Sequence, residues 1–375
     1  MREEHGVLLA GLTTMRVGGP AERLVTVQTT DELVDAVREV DDADEPLLLV
    51  AGGSNLVIAD EGFAGSVVRI ATSGISVESP DPGSRPRPGT GSDTGPGSGP
   101  VVMVRVAAGE PWDDVVAQTV AEGWSGIEAL SGIPGCAGST PIQNVGAYGQ
   151  EVAQTIDSVR VWDRREQQVQ TFDNAGCGFS YRHSLFKAEP RYVVLDVLFR
   201  LRASRLSAPV GYAGLALALG VEVGDLVPLG DAREAVLAQR RQRGMVLDPA
   251  DHDTWSCGSF FTNPVLSARS YDALLARVQA RLGSAGEAPR LPRFDAPQGR
   301  VKTSAAWLID HAGFGKGYGL PGPAALSTKH VLAVTNRGSA TAEDVLALAR
   351  EVRDGVQDAF GVSLVNEPVL VGTSL

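Results

Sequence analysis

Residues 131–149, SGIPGCAGSTPIQNVGAYG, do most to decide how this chain is interpreted. The stretch is long, carries no charged side chain and is rich in small, amide and hydroxyl residues. Ordinary surface loops carry more charge than this. An uncharged wall of backbone suits a large ligand with a pyrophosphate and a flat ring. A buried crossover loop is the alternative that composition alone leaves open.

A second glycine-rich stretch lies upstream, in LLLVAGGSNLVIAD at residues 47–60, and predicts a strand, a tight loop and another strand. Gly52 and Gly53 let backbone N–H groups turn toward an anion without obstruction by a Cβ atom. The loop is therefore a candidate phosphate site, with a plain hairpin as its alternative. A third stretch, GYGLPG at 317–322, formally fits GxGxxG, but it follows a predicted helix, which disfavours a dinucleotide site.

Length and charge limit the classes of protein that fit. The 375 residues are 43% hydrophobic, enough for two or three domains with cores of their own. Acidic residues outnumber basic ones by 45 to 33, and the net charge of -12 argues against a nucleic-acid or anionic-membrane surface as the main partner. The three cysteines form no CxxC pair, so we expect a reducing cytoplasm, no disulfide framework and no metal site. Apolar runs are too short to predict a membrane span or an export signal.

Periodicity predicts an α+β chain. Thr29 and Glu32 are spaced as a capping box before an amphipathic pattern. The middle of the chain is predicted to contain both strands and helices, and helical patterns dominate from about residue 205. Residues 79–100, dense in Pro, Gly and Ser, predict a mobile surface insertion. Predicted helices cover 29–40, 111–123, 231–245, 270–282, 304–314 and 341–360, and predicted strands cover 101–110, 157–164, 191–203 and 362–372.

The stretch SCGSFFTNP at residues 256–264 raises a question of its own, because Ser259 stands between a glycine and two phenylalanines. Gly258 and Pro264 leave room only for a very short strand. One interpretation is a tight corner plugged by aromatic side chains. The other is a hydroxyl held against an apolar, flat ligand.

Five motifs in this order carry a family resemblance: GGSN, GIPGCAGSTPIQNVGAYG, YRHSLFK, GSFFTNP and NEPVLVG. Together they resemble the UDP-N-acetylenolpyruvoylglucosamine reductases, from about Thr13 to Gly372. The resemblance implies an α+β fold, in which a two-subdomain FAD-binding domain of the vanillyl-alcohol-oxidase type precedes an α+β substrate-binding domain. The implied boundaries are 1–73 and 74–204 for the FAD subdomains, 205–360 for the substrate domain and 361–375 for a strand that returns to the flavin site.

The resemblance also implies a catalytic set. Arg182 matches an arginine beside the substrate carboxylate, Ser259 matches the proton donor, and Glu367 matches the third catalytic residue. A guanidinium fork suits a planar carboxylate. Without the motifs, Arg182 would be interpreted as a surface ion pair at a strand end, and Glu367 as a solvated strand end.

The implied binding residues fall into two sets. For the substrate or the nicotinamide, Arg243 stands where many members have a lysine, and His330 where the family often has glutamine. Tyr212 matches a tyrosine on a loop that folds over the substrate diphosphate, with permanent packing on the third domain as its alternative. The cofactor set is Gly52, Gly53, Ser54, Asn55, Leu56, Ser139, Thr140, Pro141, Asn144, Gly146, Ala147, Tyr148 and Arg240, and the substrate set is Tyr181, Tyr212, Arg243, Asn263 and His330.

The implied reaction is NADPH-dependent reduction of UDP-N-acetylglucosamine enolpyruvate to UDP-N-acetylmuramate in peptidoglycan synthesis. Reduced FAD passes a hydride to C3, and Ser259 passes a proton to C2. We expect a cytoplasmic monomer that binds neither nucleic acid nor membrane. An FAD-dependent sugar or alcohol oxidase of the same fold is the alternative, but it would need a base. A non-catalytic flavin protein should have lost part of the catalytic set, and no GxSxG elbow around Ser259 supports a serine hydrolase.

Overall fold

The computed structural model describes residues 1–78, 99–283 and 290–375. The insertion predicted at residues 79–100 lies outside these ranges, apart from Gly99 and Pro100. The chain divides into two compact units. The first comprises Met1–Val7, Ala21–Gly52 and Ala64–Arg241, and the second comprises Leu8–Pro20, Gly53–Phe63 and Gln242–Leu375. Each unit is thus assembled from separate parts of the chain.

The regular elements are numbered along the chain. The strands are β1 (Arg2–Glu4), β2 (Val7–Leu8), β3 (Pro20–Val27), β4 (Leu47–Val50), β5 (Leu56–Ile58), β6 (Phe63–Ile70), β7 (Ile75–Glu78), β8 (Val101–Ala107), β9 (Trp124–Ser125), β10 (Gly146–Ala147), β11 (Gln150–Glu151), β12 (Ile156–Asp163), β13 (Gln168–Asp173), β14 (Tyr192–Ala203), β15 (Val265–Leu266), β16 (Phe294–Ala296), β17 (Arg300–Lys302), β18 (Ala324–Leu326), β19 (Val334–Asn336) and β20 (Val369–Val371). The helices are α1 (Thr30–Asp42), α2 (Trp112–Ala121), α3 (Leu185–Ala188), α4 (Ala213–Leu219), α5 (Leu229–Gln242), α6 (Ala268–Leu282), α7 (Ala305–Ala312) and α8 (Ala342–Phe360).

Two sheets organise the first unit. One has the order β1-β3-β6-β4, and α1 packs Leu33 and Val37 into a core shared with Val27 and Val68. The other has the order β13-β12-β14-β8-β7, with β9 beside β14. Its neighbouring strands run antiparallel, and α2 packs on it through the buried Trp112. This second sheet supports the uncharged segment, residues 131–149.

The second unit is built around helices α7 and α8. A single apolar core joins residues of these helices to Phe260 and Phe261 and to three side chains from the N-terminal part of the chain, namely Met15, Val17 and Val57. Its strands pair as β15-β17-β16, β18-β19 and β5-β20. Among the helices that the structure describes, none combines the length and the apolar character needed to cross a membrane.

The strongly periodic predictions are confirmed. Helices α1, α2, α5, α6, α7 and α8 and strands β8, β12 and β14 all lie where the sequence predicts them. Thr29 caps α1 by accepting a hydrogen bond from the Glu32 N–H at 3.2 Å. The other half of the predicted capping box differs, because the Glu32 carboxylate accepts from the Gln28 N–H at 2.7 Å.

The strand, loop and strand predicted at 47–60 are confirmed as β4 and β5. The hairpin alternative is wrong, because β4 pairs with β6 and β5 pairs with β20, both in parallel. The strand predicted over 362–372 is too long, since only Val369–Val371 are regular. Pro368 has no N–H to donate to a ladder, which limits the strand on its N-terminal side. Residues 317–322 form turns between α7 and β18, so this GxGxxG stretch lacks the strand and helix of a dinucleotide site.

Candidate active site

The uncharged segment folds into successive tight turns in the first unit. Hydroxyl groups stabilise these turns, since Ser139 Oγ donates to the Cys136 carbonyl and Thr140 Oγ1 to the Ala137 carbonyl, each at 2.7 Å. The segment then reaches β10, which pairs with β11 across a short turn. These hydroxyl side chains are thus bonded to carbonyl groups three residues earlier in the segment.

Two residues of this segment have left-handed backbone conformations, Asn144 at φ 48° and Tyr148 at φ 51°. Asn144 is buried, and its amide donates to the Glu151 carboxylate at 2.9 Å and the Ser180 carbonyl at 3.1 Å. Its Oδ1 accepts from the Ala153 N–H at 3.1 Å. These bonds offset the cost of a left-handed conformation for a residue other than glycine. Asn144 therefore holds the backbone of the predicted cofactor-binding segment in place through these hydrogen bonds.

Gly52 meets the uncharged segment backbone to backbone. A Cβ atom built on Gly52 would lie 2.5 Å from the Cα of Gly135, closer than real Cβ atoms approach. A Cβ on Gly138 would likewise lie 2.5 Å from the Cβ of Ala108. Only glycine allows such approaches, and the result is a surface of closely packed backbone. Such a surface can bind a pyrophosphate and a flat ring.

Arg182 lies in the loop between β13 and α3, with a left-handed φ of 54°. Its Nη2 donates to the Gly146 carbonyl at 2.8 Å, and its Nη1 reaches the Asn144 carbonyl at 3.4 Å. The guanidinium carbon lies 5.3 Å from the ring centre of the exposed Tyr181. The structure thus brings Arg182, Tyr181 and the predicted flavin-lining residues together within the first unit.

Asp113, which the sequence analysis missed, fixes the start of the uncharged segment. Its Oδ1 accepts from the Gly132 N–H at 2.6 Å, and its carboxylate forms a bidentate pair with Arg233 of α5 at 2.7 and 2.9 Å. Burial acts to raise the pKa of Asp113, but these hydrogen bonds and the charge of Arg240 hold it below its usual value. Arg240, a predicted cofactor residue, is therefore tied electrostatically to this anchor. The acidic first turn of α2 was the available signal.

Tyr212 is the residue before α4, and its ring packs edge to face on Tyr148 with centroids 5.6 Å apart. A Cβ on Gly214 would lie 2.8 Å from Cε1 of Tyr212, so this glycine leaves room for the ring. The side chain is 40% exposed. The structure places Tyr212 beside a predicted flavin-lining tyrosine, and α4 itself was not predicted.

In the second unit, Ser259 lies at the corner that the sequence suggested. Gly258 has a φ of 74°, and Phe260 and Phe261 are 0% and 2% exposed. The Phe260 N–H donates to the Leu332 carbonyl at 2.7 Å. The corner is plugged by aromatic side chains, while Ser259 itself is only half-buried. The two interpretations of the stretch are thus compatible.

Glu367 is held next to this corner. Its N–H donates to the Phe260 carbonyl at 2.9 Å, and its own carbonyl accepts from the Asn55 side-chain amide at 3.3 Å. The Asn55 carbonyl accepts from the Val369 N–H at 2.9 Å, which begins the parallel pairing of β5 with β20. The structure therefore brings Ser259, Glu367 and Asn55 together within the second unit.

Three further predicted binding residues also belong to the second unit. Burial, reinforced by the positive charges of Arg243 and Lys316, lowers the pKa of His330 from 6.5 to about 4. The imidazole is therefore neutral near neutral pH and can both donate and accept a hydrogen bond. Asn263 accepts from the Ala305 N–H at 3.0 Å through Oδ1, so part of its amide stabilises the beginning of α7.

The residues around Gly52 and in the uncharged segment form a surface that suits a flavin dinucleotide. Close backbone contacts at Gly52 and Gly138 would be disrupted by a single Cβ, and the segment beside them carries no charged side chain. No group of three or more His, Cys, Asp or Glu side chains among the described residues could hold a metal ion. All three cysteines are free thiols.

Comparisons with known proteins show which proteins this chain is similar to. Residues 248–371 match the family model described as UDP-N-acetylenolpyruvoylglucosamine reductase, C-terminal domain, and residues 99–171 match the one described as FAD binding domain. A UDP-N-acetylenolpyruvoylglucosamine reductase of Streptomyces avermitilis is 58% identical, with 100% of this chain and 96% of that one covered. One of Thermobifida fusca is 55% identical, with 99% and 98% covered. The crystal structure of the reductase from Thermus caldophilus covers 99% of each chain at a TM-score of 0.59 and 25% identity.

These comparisons define an FAD-containing oxidoreductase. Its α+β fold has an FAD-binding domain of the vanillyl-alcohol-oxidase type and an α+β substrate-binding domain, as predicted. The chain belongs to the UDP-N-acetylenolpyruvoylglucosamine reductases. It uses FAD and NADPH to reduce UDP-N-acetylglucosamine enolpyruvate in peptidoglycan synthesis, which confirms the predicted activity and sets the oxidase alternative aside.

Proposed function

We propose that Ser259 gives the proton to C2 of the substrate, while Arg182 binds the substrate carboxylate and Glu367 stabilises the charge that develops beside it. The observation that carries this proposal is the hydrogen bond from the Glu367 N–H to the Phe260 carbonyl, 2.9 Å. It holds Glu367 against the residue that follows Ser259. A carboxyl group and a hydroxyl group on adjacent backbones suit one reacting carbon and its neighbour.

Bound FAD supplies the two-electron transfer from NADPH to the enolpyruvyl double bond. Negative charge then builds at C2, conjugated with the substrate carboxylate. The Arg182 guanidinium holds that carboxylate as a planar partner, and Glu367 in its protonated form donates a hydrogen bond to the developing enolate. A serine hydroxyl is a weak acid, but a carbanion-like carbon is a strong base, and buried Phe260 and Phe261 exclude water on one side. The serine oxygen regains its proton from solvent.

The assignment of Ser259 is tested by separating the two half-reactions in stopped-flow measurements. Ser259→Ala should leave flavin reduction by NADPH near the wild-type rate, because that step needs no proton at C2. Reoxidation by the enolpyruvyl substrate should slow by about 10²–10⁴-fold, the usual contribution of general acid catalysis. Arg182→Ala should weaken substrate binding and slow reoxidation together, and Glu367→Gln should mainly slow reoxidation. Equal slowing of both half-reactions by Ser259→Ala would remove its assignment.

The binding residues are proposed in the same way. We assign Gly52 to Leu56, the flavin-lining residues from Ser139 to Tyr148, and Arg240 to FAD, and Tyr181, Arg243, Asn263 and His330 to substrate or nicotinamide. Tyr212 covers the substrate diphosphate, and the 40% exposure of its side chain supports this role. Tyr212→Phe should raise the Michaelis constant for the UDP substrate and leave flavin reduction unchanged. An unchanged Michaelis constant would oppose this role.

We also infer a cytoplasmic monomer without nucleic-acid or membrane partners. The free thiols suit a reducing compartment, and a net charge of -12 disfavours polyanionic surfaces. Cell fractionation and sedimentation velocity test these two points. Recovery of the enzyme with the membrane fraction, or a sedimentation coefficient that rises with concentration to that of a dimer, would oppose them.

A further inference from the structure

Thr14 lies between the loop that is proposed to bind FAD and the segment that carries the proposed proton donor, Ser259. Its backbone N–H donates at 3.1 Å to the carbonyl of Gly53, in the glycine loop, residues 52–56. Its hydroxyl donates to the Ser256 carbonyl at 2.7 Å, at the beginning of the donor segment, residues 256–259. The side chain is only 7% exposed, so water competes little for this hydrogen bond. Both contacts lie within the second unit.

The placement of Ser256 is passed on to Ser259 through a short, constrained bend. The Gly258 N–H donates to Ser256 Oγ at 3.1 Å, and Gly258 has a left-handed φ of 74°. On the far side of Ser259, Phe260 is bonded to Leu332 and to Glu367 through its backbone. Ser259 thus lies between Ser256 and Phe260, both of which are held by hydrogen bonds, and Thr14 supplies the side-chain bond to Ser256.

A second contact joins the same two segments. The Cys257 thiol donates to the Leu56 carbonyl at 3.3 Å. A thiol is a weak donor, so the Thr14 hydroxyl provides the stronger of these two side-chain links. Gly53 is itself pressed onto the chain before Thr14, because a Cβ there would lie 1.8 Å from the Leu12 carbonyl oxygen. The glycine loop, Thr14 and the donor segment therefore form one packed layer of backbone.

We propose that Thr14 is a positioning residue for proton transfer: it ties the donor segment to the glycine loop and so sets the place of the Ser259 hydroxyl. The proposal rests on the proposed role of Ser259. Since Thr14 contacts the loop through its backbone and the donor segment through its hydroxyl, removal of the hydroxyl separates the two functions. FAD binding should survive, whereas alignment of Ser259 should not.

The test is Thr14→Val, which keeps the shape of the side chain and removes the donor. FAD content and flavin reduction by NADPH should stay near wild type. Reoxidation by UDP-N-acetylglucosamine enolpyruvate should slow by about tenfold, the scale expected for a lost hydrogen bond and a small misplacement. The solvent deuterium isotope effect on reoxidation should rise, because transfer of the hydroxyl proton becomes limiting. Thr14→Ser, which restores the hydroxyl, should recover most of the rate.

The matched control is Thr13→Val. Thr13 is also 7% exposed, but its hydroxyl donates to the Val17 carbonyl at 3.1 Å and the Ala10 carbonyl at 3.4 Å, both within its own segment. It should leave the ratio of the two half-reaction rates unchanged. If Thr14→Val does not yield folded protein, Thr14→Ala removes the same donor with less bulk.

Two results would overturn the inference: a selective loss in Thr13→Val as large as that in Thr14→Val, or wild-type reoxidation and isotope effect in Thr14→Val. The parallel Ser259→Ala measurement distinguishes the causes. If Ser259→Ala fails to slow reoxidation selectively, the proposed proton donor is wrong. If Ser259→Ala slows it and Thr14→Val does not, only the positioning role of Thr14 is wrong.

Discussion

The pKa of His330 is set by the surroundings of its side chain. Its pKa is lowered to about 4 by burial, with Arg243 and Lys316 adding positive charge nearby. The unfolded chain has an ordinary histidine pKa, so it takes up a proton first as the pH falls. Stability should therefore decrease as the pH drops from about 6.5 toward about 4, and the contribution of this residue is complete at neutral pH.

His330→Gln should remove that dependence, because the amide does not titrate. Between about pH 7 and about pH 5, the free energy of unfolding of the variant should fall less than that of the wild type, by about 2 kcal/mol. Urea unfolding at several pH values measures the difference. His183→Gln, at an exposed histidine, is the control and should follow the wild type. Parallel pH profiles for His330→Gln and the wild type would contradict the buried, neutral assignment.

At the residue scale, motifs in the sequence predict the proposed chemistry, but they do not predict the hydrogen bonds that hold each side chain in place. The corner at Ser259 follows from GSFFTNP, whose glycine and aromatic residues are visible in the sequence, whereas the loop that carries Arg182 was not predicted. The left-handed backbone of Arg182 and Asn144 was not predictable, because tertiary hydrogen bonds impose it. Asp113 was missed for the same reason, since its partners Gly132 and Arg233 are distant in sequence.

Among the elements, the contact of Gly52 with Gly135 gives the sharpest expectation. Gly52→Ala would place a methyl group 2.5 Å from the Gly135 Cα, so the two loops must separate. We expect FAD affinity to fall by at least about tenfold, since the backbone wall that faces the cofactor is displaced. Flavin absorbance of the purified protein and titration of the apoprotein with FAD measure this.

Gly230→Ala is the control for that substitution, because a Cβ there has no neighbour within 4 Å and the residue lies in α5 of the same unit. It should bind FAD as the wild type does. Wild-type FAD affinity in Gly52→Ala would show that the two glycine loops do not form a wall for the cofactor.

Element prediction succeeded where one periodic pattern spans several turns. Helices α6 and α8 bury regular stripes, Tyr271, Leu274 and Val278 in the first, and both are predicted nearly to their ends. Short elements were predicted less accurately. Strands such as β10 and β20 have two or three residues, too few for a pattern. The hydrogen bonds of β20 come from β5, a partner that is distant in sequence.

At the scale of the whole molecule, the two units are interleaved along the chain. The second unit needs residues 8–20 and 53–63 as well as everything from Gln242 onward. Met15, Val17 and Val57 are buried in its core, and β5 is the partner of β20. A fragment that begins at Gln242 therefore lacks both core side chains and a strand.

We accordingly expect residues 242–375, expressed alone, not to fold cooperatively, although they contain the complete match to the family's C-terminal domain. Circular dichroism melts and amide dispersion in NMR spectra measure this, with the full-length chain as reference. A cooperative melt and a dispersed spectrum of the fragment would show that the N-terminal segments are dispensable for this core.

The pairing of β5 with β20 also has a consequence for biosynthesis. Leu56 to Ile58 are translated long before their partners Val369 to Val371. Until β20 is translated, the edge of β5 that pairs with it has no partner. Such an unpaired edge can pair with other chains and lead to aggregation. A message truncated before β20 would thus yield a polypeptide that carries the glycine loop and Ser259 but cannot close the strand pair that holds Glu367 beside them. Assembly of the proposed catalytic set should therefore depend on translation of β20.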